Sequence, residues 1–255
     1  MQRIKSIVKL MVPAPLTKYY RTWKLARLRK LNQAQPLKEV FTRIYEEHQW
    51  GGARAGGDEY CSGSGSSELH ASQYAAVVKQ LIAEKGITTV VDLGCGDFVV
   101  GKMLQADGVK YIGIDIVDGL IRRNQKAYGD KNTSFLCQDI VGDNLPDGEL
   151  CLIRQVLQHL SNSEIGTVLQ KIRQYRYVLV TEHYPAPFVK CRPNLDKPHG
   201  PDTRIMDDSA VYLDQPPFNV PSQSIALVCE ADAQTYLVHK GERLRMFMIE
   251  NEPNG

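Results

Sequence analysis

Three carboxylates and a pair of glycines stand where a parallel sheet would present them to a single ligand. The run Val90-Val91-Asp92-Leu93-Gly94-Cys95-Gly96-Asp97 passes from a short β-branched stretch into a turn. Glycines at 94 and 96 let the backbone bend tightly and approach a ligand where a Cβ would intrude. Asp115 ends the next apolar stretch, 23 residues after Asp92, a position from which an acid can take both hydroxyls of a ribose. Asp139 lies just past a third such stretch and can accept from a ring amino group, with Ile116 and Ile140 placed to flank the ring. Plainer alternatives exist: Asp92 orients the glycine turn, and Asp115 caps the following helix. A dinucleotide site would need G-x-G-x-x-G. Here the run is Gly94-Cys95-Gly96-Asp97-Phe98-Val99, so the third glycine is missing.

The pattern around these residues is alternating. Strands are expected at Thr89–Leu93, Tyr111–Asp115, Ser134–Cys137, Leu150–Ile153 and Tyr177–Thr181, each a short apolar run. Helices are expected near Glu68–Lys85, Gly101–Gln105, Gly119–Lys126 and Ser163–Tyr175. Such βαβ units imply an α/β fold with a mostly parallel sheet. The finish differs: Ser224–Val228 and Leu244–Ile249 read as an antiparallel pair closed by Lys240-Gly241-Glu242. Eight prolines between Pro185 and Pro221 mark a long irregular segment, of a length that is usually functional.

Three parts are distinguished: a basic helical extension over 1–49, a Gly/Ser-rich loop over 50–67 and an α/β domain over 68–255 with the Pro-rich insertion at 185–221. Ile4, Ile7, Val8 and Met11 recur at helical spacing and end at Pro13; a second helix is expected over Leu16–Leu31 and a third after Pro36, carrying Val40, Phe41, Ile44 and Tyr45. Trp50, Arg54 and Tyr60 make the Gly/Ser loop a candidate flap over a ligand rather than a plain linker. Residues 1–36 hold nine Lys or Arg and no acid, so that a total of +2 leaves −7 on the remainder. A basic arm of this kind is either a solvated helix or a contact for an anionic membrane surface or partner. No apolar run is long enough to span a bilayer. Six cysteines without a C-x-x-C pair read as reduced thiols in a cytoplasmic protein and give no zinc signature.

Asp92-Leu93-Gly94-Cys95-Gly96 resembles motif I of the class I S-adenosylmethionine-dependent methyltransferases. Asp115 matches the ribose-binding acid of that family, Gln138-Asp139-Ile140 its adenine-contact position, and Arg154–Leu160 the segment after its fourth strand. The resemblance covers roughly residues 68–182 plus the C-terminal strand pair. It implies a Rossmann-like seven-stranded sheet of order 3-2-1-4-5-7-6, S-adenosyl-L-methionine as cofactor, and a cofactor site of Asp92, Gly94, Cys95, Gly96, Asp97, Asp115, Ile116, Asp139, Ile140 and Gln155. Gln155 could equally be a buried polar group at a strand end. The family's usual helix between strands five and six is not evident, and the Pro-rich segment stands in its place.

In that family's chemistry an acceptor hydroxyl is deprotonated as it takes the methyl group, and histidine suits the task near neutral pH. The resemblance makes His159 the first candidate base and His183 the second; a helix-start histidine that only packs is the alternative. Glu182, Tyr184, His199 and Arg204 are candidate substrate contacts, the last two suited to an anionic or polyhydroxyl acceptor. The Gly/Ser loop, the motif and Pro216-Pro217-Phe218-Asn219 are similar to methyltransferases of bacterial surface-glycan clusters. O-methylation of a sugar or sugar-linked group is therefore expected. A small-metabolite methyltransferase or a non-catalytic cofactor-binding subunit are the competing readings. A nucleic-acid enzyme is disfavoured, because Asp214-Gln215-Pro216-Pro217-Phe218 is interrupted and misplaced for an amino-methylation motif.

Overall fold

A computed structural model describes residues 14–51, 60–66, 68–230 and 240–252. The amphipathic helix expected over 3–12, together with Arg54, lies outside the described residues. Seven strands form one sheet: β1 (Thr89–Leu93), β2 (Lys110–Asp115), β3 (Thr133–Cys137), β4 (Leu150–Arg154), β5 (Tyr177–Tyr184), β6 (Gln223–Glu230) and β7 (Arg243–Glu250). Their order is β3-β2-β1-β4-β5-β7-β6, the order implied by the resemblance. β1 to β5 pair in parallel, and β7 inserts antiparallel between β5 and β6.

Strand periodicity explains why the sheet is buried on both sides. Val90, Leu150, Leu152 and Leu179 point to one layer, where Tyr74, Val78, Leu81 and Ile82 of helix α3 (Glu68–Lys85) pack with Phe98 and Ile121. Val91, Leu93, Cys151, Ile153, Val178 and Val180 point to the other, against Ile165, Val168 and Leu169 of helix α6 (Asn162–Lys171). Between β1 and β2 runs a single-turn helix, α4 (Val99–Lys102), and between β2 and β3 runs α5 (Asp118–Tyr128). Helix α6 starts at a reciprocal cap: the Ser161 hydroxyl accepts from Glu164 N–H at 3.3 Å, and the Glu164 carboxylate accepts from Ser161 N–H at 2.7 Å. That cap fixes where the chain leaves the His159 segment.

The upstream helices are α1 (Ala14–Gln33) and α2 (Leu37–Glu46). Val40, Ile44 and Tyr45 bury the inner face of α2. The loop reading of the Pro-rich segment fits: residues 185–221 hold no strand or helix except a 3-10 turn at Arg204–Asp207. The segment is nevertheless packed. Val211 and Leu213 enter the second core layer, and Asn194 satisfies both backbone groups of Tyr212 at 2.7 and 2.8 Å. Three boundaries move: the helix expected at Gly101–Gln105 begins earlier and is only four residues long, β5 runs on to Tyr184, and regular α-helix stops at Lys171, where a 3-10 turn takes over. Pairing with β7 across all eight residues of β5 explains its extension, a tertiary effect that no local signal carries. Cys61, Cys95, Cys137, Cys151 and Cys191 are free thiols. Among the described residues no helix is long and apolar enough to cross a membrane.

Candidate cofactor and acceptor site

The carboxyl ends of β1, β2 and β4 open into a cleft of about 390 Å³. Asp92, Gly94, Cys95, Gly96, Asp97, Asp115, Ile116, Asp139, Ile140, Gln155, His159 and His183 all line it, which brings together every residue expected to bind cofactor or act as base. The turn after β1 is anchored by two N–H groups, Gly94 at 2.8 Å and Cys95 at 2.9 Å, donating to the Ile114 carbonyl. Gly94 and Gly96 adopt left-handed backbone, φ +78° and +55°. A Cβ on Gly94 would stand 2.5 Å from Val156 Cγ2, and one on Gly96 would collide with the Ser62 hydroxyl. Both positions therefore require glycine, sterically as well as conformationally.

Asp115 is tied at both oxygens: Gly96 N–H donates to Oδ2 at 3.2 Å and Val117 N–H to Oδ1 at 3.1 Å. Each carboxylate oxygen keeps acceptor capacity for a ligand hydroxyl. Burial pushes the Asp115 carboxyl up to about 6, against the opposing pull of those N–H groups. The same cause lifts Asp92 to about 6, opposed by the Tyr111 hydroxyl that donates to it and by Arg154. Asp92 thus bonds a core tyrosine of β2. Phe98 is core: it packs edge-on against Phe135 and Tyr111.

The loop before α3 closes one side. Ser62 N–H donates to Asp97 Oδ2 at 3.1 Å, Asp97 N–H donates to Ser62 Oγ at 2.8 Å, and Tyr45 meets the same hydroxyl at 3.0 Å. Arg154 donates to the Gly65 carbonyl at 2.6 Å. Residues 60–66 therefore lie across the glycine turn as a strap. Ser62, Leu37, Phe41, Thr203 and Met206 also line the cleft and were not among the residues singled out from sequence. The amphipathic spacing of α2 hinted at Phe41 and the flap reading of the Gly/Ser loop at Ser62; the others carry no local signature.

His159 and Trp50 line one wall of the cleft, with ring centroids 5.0 Å apart. The Nδ1 of His159 lies 3.1 Å from the Gly200 carbonyl. A carbonyl only accepts, so Nδ1 carries the proton and Nε2 keeps a lone pair in the neutral ring. Burial, helped by the positive charge of Lys197, lowers His159 to about 4 and keeps it neutral across physiological pH. His183 reaches the cleft too, but its Nε2 stands 3.1 Å from Glu242 Oε2, a fully buried carboxylate.

The four expected substrate contacts do not reach the cleft. Glu182 is buried, and its carboxylate accepts the backbone N–H groups of Val156 (3.1 Å), Leu157 (2.8 Å) and Gln158 (3.3 Å). It shapes the turn that presents His159. Burial raises its carboxyl to about 8 against those three donors. Tyr184 is buried, its hydroxyl donating to the Val211 carbonyl. Arg204 is 1% exposed and donates to the Leu160 and Leu195 carbonyls. His199 is held between Glu164 Oε1 at 2.8 Å and the Gln35 carbonyl at 3.1 Å, and its bond to Glu164 raises its pKa. All four are polar groups spent on the protein's own backbone and side chains, where burial demands partners. Glu182→Ala is accordingly expected to act on stability. It strips partners from three N–H groups at about 1–3 kcal/mol each, so thermal unfolding should fall by roughly 10 °C for a chain of this size; an unchanged melting curve would refute the role.

An adenosyl sulfonium amino acid fits this cleft on two counts. Gly94 and Gly96 leave the turn bare of side chain, and five aspartates (92, 97, 115, 139 and 202) against one arginine (154) suit a ligand with net positive charge. A family model described as a methyltransferase domain matches residues 90–176. No curated protein matches the sequence. Among solved structures, the chain is similar to magnesium protoporphyrin IX methyltransferase from Synechocystis PCC 6803 with bound SAM, at 15% identity and a TM-score of 0.52, covering 86% of this chain and 99% of that one. It is also similar to the N-terminal domain of EvdMO1 in the presence of SAH and D-fucose, at 13% identity and a TM-score of 0.50, covering 86% and 98%. Likeness at such identity shows the fold. The methyltransferase-domain match over residues 90–176, together with the sheet order of the class I fold, supports an S-adenosylmethionine-dependent methyltransferase.

Proposed function

We propose that the enzyme O-methylates a hydroxyl of a sugar or sugar-linked group, in the setting of bacterial surface-glycan assembly, with His159 as the base. The observation that carries this reading is the His159 ring, neutral and with its Nε2 lone pair met only by the Gln158 side-chain amide at 3.5 Å, beside the indole of Trp50 in one cleft with the glycine turn. S-adenosylmethionine, when bound, supplies a sulfonium methyl group open to in-line displacement by an oxygen. Asp115 is proposed to take the ribose hydroxyls, Gly94 to Asp97 to cradle the amino-acid end, and Ile116, Asp139 and Ile140 to hold the adenine. Gln155 has its backbone N–H on the Thr181 carbonyl at 2.7 Å and its side chain against Gly65, and is proposed to close the cradle at the strap. His159 Nε2 takes the hydroxyl proton as the oxygen forms its bond to carbon.

Trp50 offers a flat apolar face of the kind that a sugar ring covers with its C–H groups. Phe41, Leu37 and Met206 line the cleft with it. The aspartate excess favours a neutral hydroxyl over a phosphate as acceptor. A protein of the same fold was crystallised in the presence of D-fucose, which is compatible with a sugar in such a cleft. Turnover with a panel of free, nucleotide-linked and lipid-linked sugars tests the reading. Methylation of phenols or carboxylates in the same assay, with no sugar accepted, would replace it with the small-metabolite alternative. Cofactor binding without any turnover would favour the non-catalytic subunit.

The same proposal gives α1 a surface role. Trp23 and Leu31 are 50% and 55% exposed on a helix that has no acidic residue, a composition suited to an anionic lipid surface. Co-sedimentation with phosphatidylglycerol vesicles and not with phosphatidylcholine vesicles is the expected result; equal binding to both, or to neither, counts against it.

A further inference from the structure

The wall that carries His159 and Trp50 is not assembled by the α/β domain alone. Both rings that form it are held by the loop His199–Thr203. The Gly200 carbonyl accepts from His159 Nδ1–H at 3.1 Å, Gly200 N–H returns a bond to the His159 carbonyl at 3.0 Å, and the Pro201 carbonyl accepts from Trp50 Nε1–H at 3.1 Å. The loop has no secondary structure of its own to fix these carbonyls. What fixes it comes largely from the N-terminal helices. Arg29 of α1 donates to Asp202 Oδ2 from Nε at 3.0 Å and from Nη2 at 2.7 Å, and it reaches Asp207 Oδ1 from Nη1 at 3.3 Å while Nη2 also meets Asp207 Oδ2. One guanidinium thus sits between two carboxylates that flank the loop and the 3-10 turn after it. Gly200 lies against Asn32, where a Cβ would come within 2.5 Å of Nδ2, and Asn32 is in turn held by Arg43 at 2.7 Å.

We propose that Arg29 is a positioning residue for methyl transfer: by clamping Asp202 and Asp207 it fixes the Gly200 and Pro201 carbonyls, and through them the tautomer of His159 and the tilt of Trp50. Asp202 belongs to the cleft wall, yet its side chain is 5% exposed and committed to Arg29, with Lys197 Nζ 3.8 Å away. It is therefore part of the clamp and not an acceptor ligand. Removing the guanidinium leaves two carboxylates facing each other without the fork that bonds both, with Lys197 3.8 Å from Asp202 and Arg204 acting on Asp207 only at longer range, and their repulsion loosens the loop on its seat. Lysine cannot span both carboxylates in the forked way arginine does.

The inference rests on the reading of His159 as the acceptor base. Its test uses the full-length chain with Arg29→Ala and Arg29→Lys, followed by ring-nitrogen NMR of His159, titration with S-adenosylhomocysteine and turnover on whichever sugar the panel identifies. The ring of the native protein should show one tautomer, protonated at Nδ1. In Arg29→Ala the expected signature is a mixed tautomer with protonation moving toward that of free histidine, a kcat lowered about tenfold or more, and S-adenosylhomocysteine affinity within twofold of native. Arg29→Lys should fall between the two. If Arg29→Ala does not fold, the lysine variant carries the same readings. An unchanged His159 tautomer and kcat in a variant that binds S-adenosylhomocysteine normally would overturn the proposal. So would equal losses of cofactor affinity and turnover, which mark a general structural role. Should His159→Ala retain turnover while Arg29→Ala shifts the ring, the base reading fails and the clamp stands.

Discussion

Asp115→Ala should bind S-adenosylhomocysteine about a hundredfold more weakly than the native protein. A carboxylate that accepts two hydroxyl groups contributes about 1.5–3 kcal/mol per bond, and about 3 kcal/mol corresponds to roughly two decades in affinity. The geometry behind the figure is the end of β2, where Asp115 already braces the glycine turn through Gly96 and the start of α5 through Val117. The pH dependence has a definite sign. The ionised carboxylate is the acceptor, and burial holds its pKa at about 6. Affinity is therefore full well above pH 6 and declines as pH drops through that value, by about tenfold at pH 5 for a single site. Asp92 titrates in the same range for the same reason, but its partner is Tyr111. Asp115→Asn can keep only one of the two backbone bonds, to Gly96 or to Val117, and should lose both the affinity and most of its pH dependence. Calorimetry at pH 5 and pH 8 on the native and asparagine forms checks this; a flat native profile would break the link between Asp115 and the ribose.

His159→Ala should lower kcat by roughly a hundredfold to ten-thousandfold, the usual range for a positioned general base, while cofactor affinity changes less than twofold. The asymmetry follows from location: the ring is on the cleft wall beside Trp50, and its one strong bond is to the Gly200 carbonyl. Its pKa near 4 means the base form persists as pH falls, so at saturating cofactor the acid limb of kcat should lie near pH 4–5 and not at the pH 6.5 of ordinary histidine. An acid limb at 6.5, or full activity in His159→Ala, would remove the ring from the chemistry. His183 is the alternative base, but Glu242 occupies its Nε2 side.

That the residues expected to bind cofactor would meet in one cleft was readable from sequence because the signal is local. Asp92 to Asp97, Asp115 and Asp139 each follow a short apolar strand, and parallel pairing of β1 with β2 and β4 brings strand ends together without further information. The acceptor half was readable only in part. His159 and the Trp50 loop were singled out, but Phe41, Asp202 and Met206 come from segments more than 150 residues apart in the chain, and they meet because the N-terminal helices dock on the Pro-rich segment. Glu182, Tyr184, His199 and Arg204 were misplaced because polar residues near a strand end invite a ligand reading, whereas buried polar groups must be satisfied within the protein, both at the end of β5 (Glu182, Tyr184) and in the irregular segment (His199, Arg204). Arg204 bonds two carbonyls there, and Glu182 receives three N–H groups. Arg29 looked like one charge among nine in a basic arm; only the fold separates it from its solvated neighbours.

The most direct test is a crystal structure of the protein with S-adenosylhomocysteine. The ribose hydroxyls should lie within hydrogen-bond distance of both Asp115 oxygens, with the sulfur directed toward His159 and Trp50. A ligand bound elsewhere, or one that leaves Asp115 without a ribose contact, would contradict the assignment of this cleft.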